Sequence, residues 1–138
     1  MRRTAVFLGV TLAEGIAVGV IGIRVLSATQ ELVKRAALLE TDLAGMEGKE
    51  GYVILAEIAP GGATGKHTHP AHEFAYLPED SAILEEEERS AVALKQDETV
   101  YQATGRVHNA KNASTSAPLK VLVFLIAEKG QPFIIPAK

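Results

Sequence analysis

The hydrophobic positions of this chain change rhythm close to residue 50. From Tyr52 onward they come in short β-branched or aromatic runs at 53–58, 74–77, 82–85, 91–94 and 99–102. The most apolar run covers 120–127, and 133–135 adds a last short one. Turn formers separate these runs: Gly61 and Gly62, Pro78 to Asp80, Gln96 and Asp97, Thr104 and Gly105, Ser114 to Pro118, and Gly130. Many short strands between such turns predict an all-β sandwich or barrel rather than an α/β fold. No fixed-period repeat interrupts the pattern.

Upstream the rhythm differs. Leu32, Val33, Ala36 and Leu39 recur at helix-like spacing, with Thr29 placed to cap a helix and Gly45 and Gly48 placed to stop it. The apolar stripe is thin, and an extended arm laid on a neighbouring sheet fits the same residues. Residues 45–51 read as a turn or linker. The first residues are basic, Arg2 and Arg3, followed by apolar stretches over 4–13 and 15–23 and by small residues at Ser27 and Ala28. That order matches a secretory signal with cleavage near residue 28. An uncleaved anchor over 4–23 and a helix packed on the domain are the alternatives. Glu14 would cost an anchor about 2.5–3.5 kcal/mol at mid-bilayer. We therefore divide the chain into an N-terminal helical leader (1–28), an arm or linker (29–51) and a barrel domain (52–138), and expect an exported protein.

Composition narrows the chemistry. The 138 residues suffice for one core, and the formal net charge of -3 supplies no basic cluster for nucleic acid. There is no cysteine, so disulfides and thiolate metal sites are excluded and any metal must use imidazole and carboxylate. The acidic run 85–88 reads as a solvated hairpin end, because uncompensated carboxylates prefer water.

Chemistry concentrates at two places. One is Gly61 to Glu73, containing His67, His69 and His72; the other is Gly105 to Asn112, containing His108. Residues two apart on a strand share a face, so His67 and His69 point inward together. Pro70 ends or turns that strand, and it also disfavours a helix carrying His69 and Glu73. Three imidazoles and one carboxylate suit Fe, Mn, Ni or Zn with coordination positions left open. The same alternation sends Ala75, Leu77, Ala110 and Asn112 inward and His72 to solvent. Asn112 is expected to tie down a turn, and Tyr76, Tyr101 and Gln102 are candidates for the rim of a pocket.

These two stretches resemble the conserved motifs of the cupin superfamily. Its first motif is Gly, five residues, His-x-His, three or four residues, Glu, six residues, Gly; here Gly61, His67, His69 and Glu73 fall in register and Asp80 takes the last place. Its second is Gly, five residues, Pro-x-Gly, two residues, His, three residues, Asn; Gly105, His108 and Asn112 match, with Asp97 and Ala103 replacing Gly and Pro. The resemblance implies an antiparallel double-stranded β-helix, a jelly-roll-like barrel. It also implies a divalent metal held inside by His67, His69, Glu73 and His108. Asp80 and Asp97 are then expected at positive φ, at a cost of about 1 kcal/mol relative to glycine.

Two functions fit that site: a metal-dependent enzyme of dioxygenase, decarboxylase or isomerase type acting on a small organic substrate, or a non-catalytic metal- and ligand-binding module of the cell envelope. An arginine inside the barrel would favour carboxylate substrates, and Arg106 is the one beside a motif. Residues 31–43 are expected to cover a barrel edge of a second copy in a homodimer.

Overall fold

A computed structural model describes residues 32–138, and the leader expected over 1–28 lies outside the described residues. Among the described residues ten strands follow in order: β1 (Val33–Asp42), β2 (Lys49–Ile58), β3 (His67–Thr68), β4 (Ala71–Tyr76), β5 (Ser81–Glu86), β6 (Val92–Lys95), β7 (Thr99–Gln102), β8 (His108–Asn112), β9 (Leu119–Glu128) and β10 (Ile135–Pro136). They form two five-stranded antiparallel sheets, ordered β1-β2-β9-β4-β7 and β10-β3-β8-β5-β6. Among the described residues there is no α-helix.

Alternation builds the sandwich. Along β2, Tyr52, Ile54, Ala56 and Ile58 are buried while the residues between them are only half-buried. On the paired strand β9, Leu119, Val121, Leu125 and Ala127 are buried in the same way. From the facing sheet, Ala82, Leu84 and Leu94 close one part of the core. A second apolar cluster, Tyr52, Ile54, Ala71, Leu125 and Ala127, closes the other.

The helical alternative for residues 32–39 does not hold. This segment is β1, paired antiparallel with β2 from Val33↔Ile58 to Asp42↔Glu50, with a bulge between Ala37 and Leu39. Its neighbour offers a row of ladder groups that a helix would leave unpaired, and that outweighs a thin apolar stripe. The turn is also shorter than expected, since β2 starts at Lys49 rather than Tyr52.

On the outer face of the first sheet, Leu39, Val53, Phe124, Phe74 and Tyr101 lie in one register row across all five strands. Leu39, Phe124, Phe74 and Tyr101 are exposed. Asp80 and Asp97 adopt φ of 64° and 65°, the left-handed turns expected where the resembling motif carries glycine, and Glu88 adopts 62°.

Candidate metal centre

The site is assembled where β3, β4 and β8 meet. β3 holds only two residues because Pro70 has no N–H to continue the ladder. His67 on β3 pairs with His108 on β8, which places two imidazoles opposite each other across the strands. His69 follows directly, and its carbonyl accepts a hydrogen bond of 2.9 Å from the Gly105 N–H. Gly105 stands at φ 78°, so the glycine of the second stretch folds that turn back onto the first. The chain re-enters at Ala71, and Glu73 is the third residue of β4, facing inward.

His67, His69, Glu73 and His108 are all buried. One nitrogen from each of the three imidazoles lies within 4.8 Å of the others, a spacing that fits a shared metal ion. The rings stand 4.3 to 5.3 Å apart by centroid. Each ring is oriented from behind. Nδ1 of His67 bonds the Gly65 carbonyl at 2.8 Å, Nδ1 of His108 bonds the Arg106 carbonyl at 3.1 Å, and Nδ1 of His69 bonds the Phe133 carbonyl. A carbonyl only accepts, so every Nδ1 carries a proton and every neutral ring presents its lone pair on Nε2. This is the outer-shell arrangement that fixes the tautomer of metal-binding histidines.

Glu73 completes the chemistry. Its Oε2 sits 3.2 Å from Nε2 of His69 and 3.2 Å from Nε2 of His108. Neither contact is aligned as a hydrogen bond, and Oε2 is buried without a partner. A buried carboxylate oxygen facing two nitrogen lone pairs is costly unless a cation lies among them. The three imidazoles thus fit a divalent metal, and the Glu73 carboxylate lies against two of them.

The electrostatics agree with the geometry. Burial pushes the Glu73 carboxyl up, but the facing His108 and His69 rings outweigh it and bring it down to about 2. Burial pushes His67 down to about 4, partly offset by the Gly65 carbonyl. Burial also opposes charge on His108, yet Glu73 overrides it and holds that ring above its ordinary value.

A cavity of about 70 Å³ adjoins the cluster, walled mainly by aliphatic residues of both sheets. Ala75, Leu77 and Ala110 line it, on the faces that alternation assigned them. Asn112 is buried and ties turns together: its Nδ2 donates to the carbonyls of Ile58, Ala59 and Ala117, and its Oδ1 accepts from the Ser114 N–H. His72 is exposed and bonded to the Tyr101 hydroxyl. Of the three rim candidates, Gln102 lines the cavity and is buried, while Tyr76 and Tyr101 lie on the outer face. The acidic run divides: Glu87 and Glu88 are exposed, but the Glu86 carboxylate is buried beside Arg106 and Arg89.

Arg106 therefore faces Glu86 and does not line the cavity. Arg35 of β1 does. Its place in the lining was hidden because residue 35 belongs to a segment whose helical and extended readings send the side chain to different faces. The Phe133 carbonyl behind His69 was hidden as well, since a backbone acceptor leaves no trace in side-chain identity.

Comparison with known proteins supports the same architecture. No curated protein matches the sequence. An uncharacterized conserved protein with a double-stranded β-helix domain from Klebsiella pneumoniae superposes with a TM-score of 0.60 at 20% identity, covering 77% of this chain and 84% of that one. A cupin-like protein from Thermotoga maritima gives 0.58 at 20% identity, covering 76% and 75%. The DMSP lyase DddQ from Ruegeria pomeroyi gives 0.63 at 16% identity, covering 84% of this chain and 57% of the lyase. At such identities the likeness establishes the fold. The family model described as Cupin domain matches residues 54–125, the span that carries the histidine cluster, and the chain belongs to that family.

Proposed function

We propose that this protein is an exported cupin that holds a divalent metal through His67, His69, Glu73 and His108 and uses it on a small organic molecule. The carrying observation is the triple tethering of Nδ1 to backbone carbonyls, which leaves Nε2 of each ring as its lone-pair donor, with those of His69 and His108 3.2 Å from one buried carboxylate oxygen. Once bound, the ion supplies Lewis acidity at its open positions. The chain's own contribution is to orient the donors, keep them neutral or anionic as the ion requires, and surround them with a mostly apolar wall.

The test is elemental analysis of purified protein against the His67→Ala/His108→Ala double variant. Near-stoichiometric Fe, Mn, Ni or Zn in the first and little in the second is the expected result; equal content in both would remove the assignment. Oxygen uptake, decarboxylation and isomerisation assays on a panel of enediols, diketones and small acids then separate an enzyme from a ligand-binding module. Export rests on the basic start and apolar run before Ser27 and Ala28. N-terminal sequencing of the mature protein from the cell envelope, beginning near residue 28, is its check. A homodimer is proposed on the exposed edge of β1 and the apolar row Leu39, Phe124, Phe74 and Tyr101. Light scattering of a Phe74→Ser/Phe124→Ser variant should show a monomer where the parent shows a dimer.

A further inference from the structure

We infer that the Gln102 side-chain amide reads a hydroxyl group on a small uncharged molecule in the cavity, an inference that rests on the metal-site reading above. Gln102 stands opposite Glu73 across β4 and β7, and cross-strand partners share a face, so both point into the sandwich. It is only 2% exposed and lines the same cavity as His67, His69, Glu73 and His108. Neither Nε2 nor Oε1 has a hydrogen-bond partner of normal geometry. A buried amide left in that state is destabilising unless something else supplies the bond. Its neighbours on the same face cannot: Val100, two residues back, and Ala75, opposite Val100, are apolar. The Thr64 hydroxyl, also in the cavity wall, is already engaged by the Ala110 N–H, the Gly65 carbonyl and Asn109.

The surrounding charges decide which end of the amide is left over. Glu73 stands across from it and Glu86 lies beside it, and both carboxyls are held below their ordinary value. An ionised carboxylate accepts and never donates, so these two favour the NH2 end and leave Oε1 as the acceptor for what the cavity holds. The imidazoles add no competing donor, since each Nδ1–H is bonded to a backbone carbonyl. A cationic amine is disfavoured as the partner, because a divalent ion on three neutral rings and one carboxylate keeps a net positive charge. A hydroxyl suits both neighbours: its hydrogen bonds Oε1, and its oxygen keeps lone pairs that a nearby cation attracts. The apolar wall around Ala75, Leu77 and Val123 then takes a short hydrocarbon body.

The experiment uses zinc-loaded protein and a fixed panel of two- to five-carbon diols and hydroxyketones, each with its methyl ether, read by calorimetry. Zinc content and urea denaturation are recorded for the parent and Gln102→Met. The parent is expected to bind at least one hydroxyl compound about tenfold or more tightly than its ether, the scale of one buried hydrogen bond left unmade. Gln102→Met should lose that preference, with zinc content kept and stability kept or raised. In labelled parent protein, the side-chain amide signal of Gln102, assigned through its backbone, should move with the hydroxyl compound and not with the ether. This second readout holds even where the variant folds poorly. No hydroxyl preference in the parent, an unmoved Gln102 signal, or a Gln102→Met protein that keeps the full preference through the zinc ion alone overturns the inference and leaves the metal site standing. A parent that takes up no divalent ion overturns both.

Discussion

His67 and Glu73 make the metal-free protein sensitive to acid in two separate windows. His67 is depressed from 6.5 to about 4, so the neutral ring contributes stability that is fully present above pH 6.5 and is lost as pH falls through 4. Glu73 is depressed from 4.5 to about 2, so its share persists to pH 4.5 and is lost as pH falls toward 2. His108 works the other way: its pKa is raised, and the stability it gives below pH 6.5 fades as pH rises through the raised value. Urea midpoints of metal-free protein should fall from pH 6.5 toward 4, and His67→Ala should flatten that upper step while leaving the lower one. Gln102 offers a second residue-scale test. It lies beside the Glu86 carboxylate, yet neither of its buried amide atoms makes a hydrogen bond of normal geometry. Unpaired buried amides cost stability, so Gln102→Met should leave the metal-free protein equally stable or more stable by about 1 kcal/mol in urea denaturation. A loss of several kcal/mol would show that the amide is structurally bonded. The two inward histidines and Glu73 were legible from alternation around Pro70. The three carbonyls that orient the rings were not, because backbone acceptors are set by tertiary turns.

At the scale of elements, the turns carry the chain's departures from its family pattern. Asp80 and Asp97 both occupy the left-handed region, where glycine is less strained by about 1 kcal/mol. Their surroundings differ, because Asp97 Oδ1 accepts a 2.7 Å hydrogen bond from the Tyr76 hydroxyl. Asp80→Gly should therefore raise stability by about 0.5–1 kcal/mol, while Asp97→Gly should come out near neutral as the lost bond offsets the relieved backbone. Chemical denaturation of the two variants side by side checks the difference. These turns were readable from the motif spacing, as were the strands from β4 onward, whose alternation and punctuation agree. β1 was not, since Leu32, Val33, Ala36 and Leu39 fit a helix locally and only the open edge of β2 decides for a strand.

Over the whole molecule, a fold assembled from strands distant in sequence brings the two motif halves together: His67 meets His108 across one ladder, and Glu73 meets Gln102 across another. The sequence signalled that closure through the paired motifs. It did not signal the whole lining, because Arg35 and Phe133, which also line the cavity, lie outside both motifs.

The chain's final residues carry no chemistry of their own, yet they form a latch. β10 pairs with β3 through Ile135↔Thr68 and Pro136↔His67, the Ala137 N–H donates to the Lys66 carbonyl at 2.9 Å, and the Phe133 carbonyl holds His69. A two-residue edge strand is the part of a sheet that frays first. The dwell time of a bound ion should therefore follow the opening of this short strand rather than global unfolding. Deleting residues 132–138 should speed zinc release to a chelator by about tenfold or more in stopped-flow measurements, the scale expected when an outer-shell partner of a ligand is lost. A bulky fusion at the C-terminus should act in the same direction, making the far end of the chain the timer of its metal exchange.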